Sequence, residues 1–212
     1  METELIDALC SGLSSATPIG STHRSELGLI AVPFLCVDHQ FIALYQPVAF
    51  DPDDFRSVSD VVMREAGHNV CEHAHMMKFV AAEQYRQGDQ SFAPLAATMG
   101  TKLRIYREIP GALSNVTNIV LKEVSDLTEI YFTPGGAPKR ASRLNSWYAR
   151  IADKICVDGL GLQKIHQNVG EGWYGYRKVE IYGASATESR KHLQNHEFPQ
   201  PVLSTGQAAQ AV

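Results

Sequence analysis

The residues able to do chemistry crowd into one stretch, Asp51 to Gly88, where His68, Cys71, Glu72, His73 and His75 follow closely on one another. A thiol beside imidazoles and carboxylates supplies the groups of a nucleophile and its general base. The thiolate is the reactive form, and the free N–H groups and dipole of a helix start stabilise it. What the stretch does therefore depends on where its helices begin and end.

Two foldings fit the pattern. In one, the stretch is a single amphipathic helix. Val62, Ala66, Val70, Ala74, Met77 and Ala81 form its buried stripe, and Glu65, His68, Glu72, His75 and Glu83 its wet face. In the other, Gly67 ends a first helix, Asn69 caps a second, and Glu72 completes an Asn-x-x-Glu capping pattern. The second helix then runs to Gly88 and holds Cys71 in its first turn.

The run Asn69-Val70-Cys71-Glu72-His73 resembles the Asn-Cys-Glu-His motif of the permuted papain-like hydrolases and acyltransferases, the lecithin:retinol acyltransferase group, with Val70 inserted. That family places a histidine-bearing hairpin first, a short helix next, and then the cysteine at the start of a second helix. Residues 23 to 88 imitate the order. The resemblance implies a cysteine-dependent hydrolase or acyltransferase with Cys71 as nucleophile, His23 as first choice of base and His39 as second. Backbone N–H groups would stabilise an oxyanion, and water or an amine would resolve the thioester. No cofactor enters that reading.

Metal chemistry finds less to work with. Cys36-x-x-His39 is half a zinc site with no partner pair at suitable spacing. His73 and His75 are two apart, so they do not face each other on a helix. His68 with Glu72, and Glu72 with His75, are better spaced, but no third ligand is identifiable. No metal site is assigned.

A second segment, Thr133-Pro-Gly-Gly-Ala-Pro-Lys-Arg140, leads from an expected strand into an expected helix opening near Pro138. Gly135 and Gly136 would expose backbone N–H groups to an anion at the helix start, with Lys139, Arg140 and Arg143 reinforcing the site. The plain reading is a strand-to-helix connection. Arg140, Arg143, Trp147, Arg150 and Lys154 continue along one face of the helix, which suits an acidic or phosphate-bearing ligand at 139–154, or simply a solvated surface. Strand, Gly-Gly loop and basic helix at 128–157 resemble, in order, the cofactor strand and helix of the GNAT-type N-acetyltransferases. Gln167-x-x-Gly170-x-Gly172 matches that family's short acyl-CoA loop, without a following helix. The resemblance implies an alternative function, an acyl-CoA-dependent transferase using the 133–143 loop. A third reading has no catalysis, and the Arg/Trp face docks a protein.

The remaining elements must position these groups. Residues 3–12 suit a short helix, and 27–49 an antiparallel hairpin with His39 in its turn and His23 in the loop before it. Lys102 to Ile109 alternates apolar and charged residues and reads as a strand, Pro110-Gly111 as a turn, and Val116 to Val124 as a strand or a short helix. Thr128–Thr133, Leu162–Asn168 and Tyr174–Tyr182 read as strands, and a helix ends near Val157. The expected architecture is α+β: an antiparallel sheet of five to seven strands packed by two principal helices, in one domain over 1–183, with a weakly anchored tail from 184 to 212.

Composition sets limits. At 212 residues, with 44% hydrophobic and 20% charged residues, the chain suits a globular core without metal or disulfide staples. A net charge of −4 gives no reason to expect nucleic-acid binding. The longest apolar region, Leu27 to Phe50, is broken by Pro33, Asp38, His39 and Pro47, so it reads as strands and no membrane span is expected. The start METELIDAL lacks the basic and apolar regions of a secretory signal, and the four cysteines show no paired spacing. A cytoplasmic protein is expected.

Overall fold

A computed structural model describes residues 3–50, 52–86, 97–132, 149–165 and 174–179. Its frame is a mixed seven-stranded sheet. In chain order the strands are β1 (His23–Arg24), β2 (Ile30–Cys36), β3 (His39–Pro47), β4 (His75–Ala81), β5 (Glu129–Phe132), β6 (Gln163–Lys164) and β7 (Tyr174–Arg177). In space they lie β1-β2-β3-β4-β5-β7-β6. Neighbours are antiparallel except β4 and β5, which run parallel with His75 opposite Ile130 and Met77 opposite Phe132. The α+β class expected from the sequence is present, and the purely antiparallel sheet is corrected to a mixed one. Parallel pairing demands a long crossover, and α4 (Met99–Glu123) supplies it.

The hairpin is where the sequence places it. Its two-residue turn holds Val37 and Asp38 at φ 50° and 62°, the left-handed pair that matches the twist of the flanking strands. His39 pairs with Cys36 as the first residue of β3, so it belongs to the strand and not to the turn. His23 likewise lies in a short edge strand and not in a loop.

The stretch 51–88 departs from both of its expected foldings. Helix α2 (Pro52–Ala66) stops where Gly67 adopts φ +62° and its N–H caps the Met63 carbonyl. No second helix opens at Asn69. An irregular connection leads instead into β4, and α3 (Ala82–Arg86) begins only after it. In MMKFVA the pairing with β3 and β5 outweighs helical periodicity: Met76, Met77 and Ala81 are buried, while Lys78, Phe79 and Val80 are partly exposed.

The reverse happens at 99–123. The strand expected at 102–109, the turn at Pro110-Gly111 and the strand at 116–124 are one 25-residue helix, capped by the Thr98 hydroxyl accepting from the Thr101 N–H. Ile105, Ile109, Leu113, Val116 and Val120 recur at helical spacing and are buried against the sheet. Each such side chain contributes roughly 1.5–3 kcal/mol of burial, more in sum than a single internal proline costs. On this face α4 covers Ile30, Val32, Tyr45, Met77, Ile130 and Phe132, together with a helical segment, 149–153, that continues into a π-helical turn, Lys154–Gly159.

The opposite face carries two separate apolar clusters. Helix α1 (Thr3–Cys10) packs Ile6, Leu9 and Cys10 on Ala31 and Ile42. Helix α2 packs Val58 and Val62 on Val48, Ala74, Met76 and Tyr131. Among the described residues no helix is long and apolar enough to cross a membrane, and Cys10, Cys36, Cys71 and Cys156 are all free.

Candidate functional site

The central parallel pair has two ends with different chemistry. At the N-terminal end, the connection between α2 and β4 folds onto the first residue of β5, Glu129, which is 5% exposed. Oε1 of Glu129 accepts from His68 Nε2 at 2.7 Å. Oε2 accepts from the Cys71 N–H at 3.0 Å and from the Tyr131 hydroxyl at 3.1 Å. The half-buried Cys71 sulfur accepts from the Thr128 hydroxyl at 3.3 Å. Burial, with the neighbouring Glu129 charge, pushes the Tyr131 phenol far up, so it stays a hydrogen-bond donor. Its ring lies across β7, where a Cβ at Gly175 would stand 2.5 Å from it; only glycine fits there.

This geometry revises the base assigned to Cys71. The thiol lies in the connection before β4 and draws nothing from a helix start. His39 is at the far end of β3 from Pro47, which pairs with His75; eight residues of strand separate the two ends by roughly 25 Å. His23 is on β1, four strands from β5, about 15 Å or more across the sheet. The structure brings neither histidine to Cys71, and the imidazole it places on the same carboxylate is His68.

His75 stands apart, on the α4 side of the sheet at the same end. Its Nδ1–H donates to the His73 carbonyl at 3.0 Å, while Nε2 is buried without a hydrogen bond. Burial lowers its pKa below the usual 6.5. Asp126 and the His73 and Gly28 backbone oppose that shift, and Arg24 adds to it. Arg24 and Asp126 themselves pair at 3.8 Å across the surface.

The C-terminal end of the pair is described further along β4 than along β5. The described part of β5 ends at Phe132, level with Met77, whereas β4 continues through Lys78, Phe79, Val80 and Ala81. Among the described residues that extension pairs only with β3. Helix α4 has Thr98, Gly100, Thr101 and Lys102 at its start. Lys78 follows Met77 on β4, opposite Leu44 of β3 and two residues from Met76. It is partly exposed, and no carboxylate pairs with it among the described residues.

Gly135, Gly136, Lys139, Arg140 and Arg143 lie outside the described residues, as does Trp147. Of the basic helix, Arg150 and Lys154 are described and exposed. Near it, Asp153 accepts from Lys164 at 2.7 Å and from the Tyr176 hydroxyl at 2.7 Å, a closed network that ties the helical segment to β6 and β7. Among the described residues no group of three metal-ligating side chains is assembled.

Sequence reasoning missed Glu129, Thr128 and Tyr131, and weighed His68 as part of a wet helix face or as a metal-ligand partner of Glu72. The signal was an acid inside the apolar strand LTEIYF, since a buried carboxylate must find hydrogen-bond donors. No family model, no curated protein and no solved structure matches the chain.

Proposed function

We propose that the chain is an acyl-CoA-dependent transferase, in line with its resemblance to the GNAT-type N-acetyltransferases at 128–157. The observation that carries this reading is the parallel β4–β5 pair in the middle of an otherwise antiparallel sheet. Open sheets bind ligands outside the carboxyl ends of their strands, at the point where the connections change direction. Here that point is the carboxyl side of the parallel pair, where Met77 of β4 lies opposite Phe132 of β5. An extended ligand bearing amides, such as a pantetheine arm, can add to a strand edge through backbone hydrogen bonds. Helix α4 opens with Met99 and Gly100, whose N–H groups suit an anionic group, with Lys102 close in sequence. The 133–143 loop follows β5 directly in the chain.

The test is thermal unfolding of the full chain with and without coenzyme A. A saturable rise in Tm is expected, of the size that RT ln(1 + [L]/Kd) gives for the affinity measured. No rise at millimolar coenzyme A retires the reading.

A second reading keeps the cysteine chemistry and the partial resemblance to the lecithin:retinol acyltransferase group. Its support is the half-buried Cys71 thiol held beside an imidazole–carboxylate pair. In it His68 replaces His23 and His39 as base, Glu129 orients the ring, and Thr128 donates to the sulfur. Alkylation of Cys71 against pH tests it. A thiol ionising well below the ordinary cysteine range, with the low value lost in His68→Ala, supports it; an ordinary profile removes it.

A further inference from the structure

We propose that residues 18–29 form a strap over the outer edge of β2, and that His75, buried at the C-terminal end of the strap, is the proton sensor that releases it. The inference is independent of the transferase reading.

Strand β2 pairs with β3 along one edge. Residues 18–24 follow the other. The Leu35 N–H donates to the Pro18 carbonyl at 2.7 Å, the Gly20 N–H donates to the Pro33 carbonyl at 2.9 Å, and Ile19 bridges Phe34. Further on, His23 pairs with Ala31 and Arg24 with Ile30. From Ile19 to His23 the strap takes one residue more than β2 takes from Phe34 to Ala31, which is a β-bulge. Within it the Thr22 hydroxyl is buried without a partner. Such a cover hides backbone groups that another strand would pair with. A bulge and an unpaired hydroxyl make it a weaker cover than a regular strand.

After Arg24 the chain turns back through Gly28, at φ +78°, where a Cβ would stand 3.1 Å from Pro47 Cγ. Pro47 is paired with His75, so the turn reaches the start of the central strand. His75 is 4% exposed. Its Nδ1–H is committed to the His73 carbonyl, which leaves Nε2 a buried acceptor without a bond. Arg24 on the strap opposes a positive charge on the ring, while Asp126 after α4 and the Gly28 backbone favour one. Arg24 and Asp126 also pair with each other at 3.8 Å. Lys178, beyond β7, donates to the Leu121 carbonyl at 3.2 Å. Glu26 in the turn, and Lys122 and Glu123 at the end of α4, are exposed.

Burial outweighs these charges, so the covered ring takes a proton only below the 6.5 of an open one. The strap is therefore held down above pH 6.5 and loosens as pH falls below it. It is the part that yields, because that end is held by a two-residue strand, exposed at both positions, and by one exposed ion pair.

The test is amide hydrogen exchange of the full chain from pH 7 to pH 5.5, corrected for the intrinsic pH dependence of exchange. The Gly20 and Leu35 amides, which join strap to edge, should be at least about tenfold less protected than those of Val116 and Val120 in α4, because they open without global unfolding. Their protection should fall below pH 6.5 by up to about tenfold per pH unit, the limit for one linked proton. His75→Gln should remove that slope, with circular dichroism confirming its fold. Strap protection equal to that of α4, strap protection that ignores pH, or a slope that survives in His75→Gln each overturns the proposal. Should His75→Gln fail to fold, the His75 ring signal in an NMR titration of the unaltered chain takes its place. Ring protonation and strap loosening must then share one pH range, and a mismatch overturns the proposal.

Discussion

The two ends of the β4–β5 pair hold similar raw materials and use them differently. At the N-terminal end the buried acid Glu129 has both oxygens occupied, by His68, Cys71 and Tyr131. At the C-terminal end the amine Lys78 has no carboxylate paired with it among the described residues. A closed network of this kind holds the chain together. The cluster richest in reactive residue types is thus also one in which each Glu129 oxygen is already bonded within the chain.

The sharpest way to break the comparison is Glu129→Ala. It leaves the Cys71 N–H and the Tyr131 hydroxyl buried without an acceptor, and should cost roughly 3 kcal/mol in denaturant unfolding. A cost near zero would mean that the cluster is not a clasp. Tyr45→Phe supplies a control on the α4 side, where the buried hydroxyl meets Thr117 at 2.8 Å. It should cost about 1 kcal/mol, because Thr117 keeps its bond to the Leu113 carbonyl.

His75 gives the N-terminal end a pH signature. Its folded pKa lies below 6.5, so the unfolded chain binds a proton that the folded chain refuses. Stability from this residue is therefore present above pH 6.5 and declines as pH falls below it. Unfolding midpoints measured from pH 7 down to about pH 5.5 should fall, and His75→Gln should flatten the trend.

Thiol labelling sharpens the comparison further. Burial pushes Cys36 up to about 11 and raises Cys10 and Cys156 as well. Cys71, the half-buried one, should be alkylated first at neutral pH, as peptide mapping would report. The smallest effect belongs to the hairpin, remote from both ends. Asp38→Gly, at φ 62° in the turn, should raise Tm by the equivalent of about 0.5 kcal/mol.

Much of the frame was legible locally. The hairpin follows from alternating apolar strands around a polar turn, the end of α2 from Gly67, and β5 from its short β-rich run. Where the sequence misled, two periods fitted one segment. Lys102–Ile109 alternates as a strand does, yet Ile105, Ile109, Leu113 and Val116 also repeat as a helix does. His75–Ala81 is apolar enough for a buried helix or a central strand, and only its neighbours β3 and β5 make it a strand. The site was less legible than the fold. Cys71 and His68 were visible as residue types, but Glu129 lies 58 positions beyond Cys71 in the chain, and no local pattern joins them.

The sequence by itself determined an α+β chain with a reactive-looking centre, because composition, glycine positions and short-range periodicity act over a few residues at a time. The tertiary structure alone decided that β4 and β5 run parallel, that Glu129 closes the end of the sheet where Cys71 lies, and that Lys78 stands at the other. Those outcomes depend on which distant strands share hydrogen bonds and which charges then find partners, a matter of global packing that no local spacing encodes.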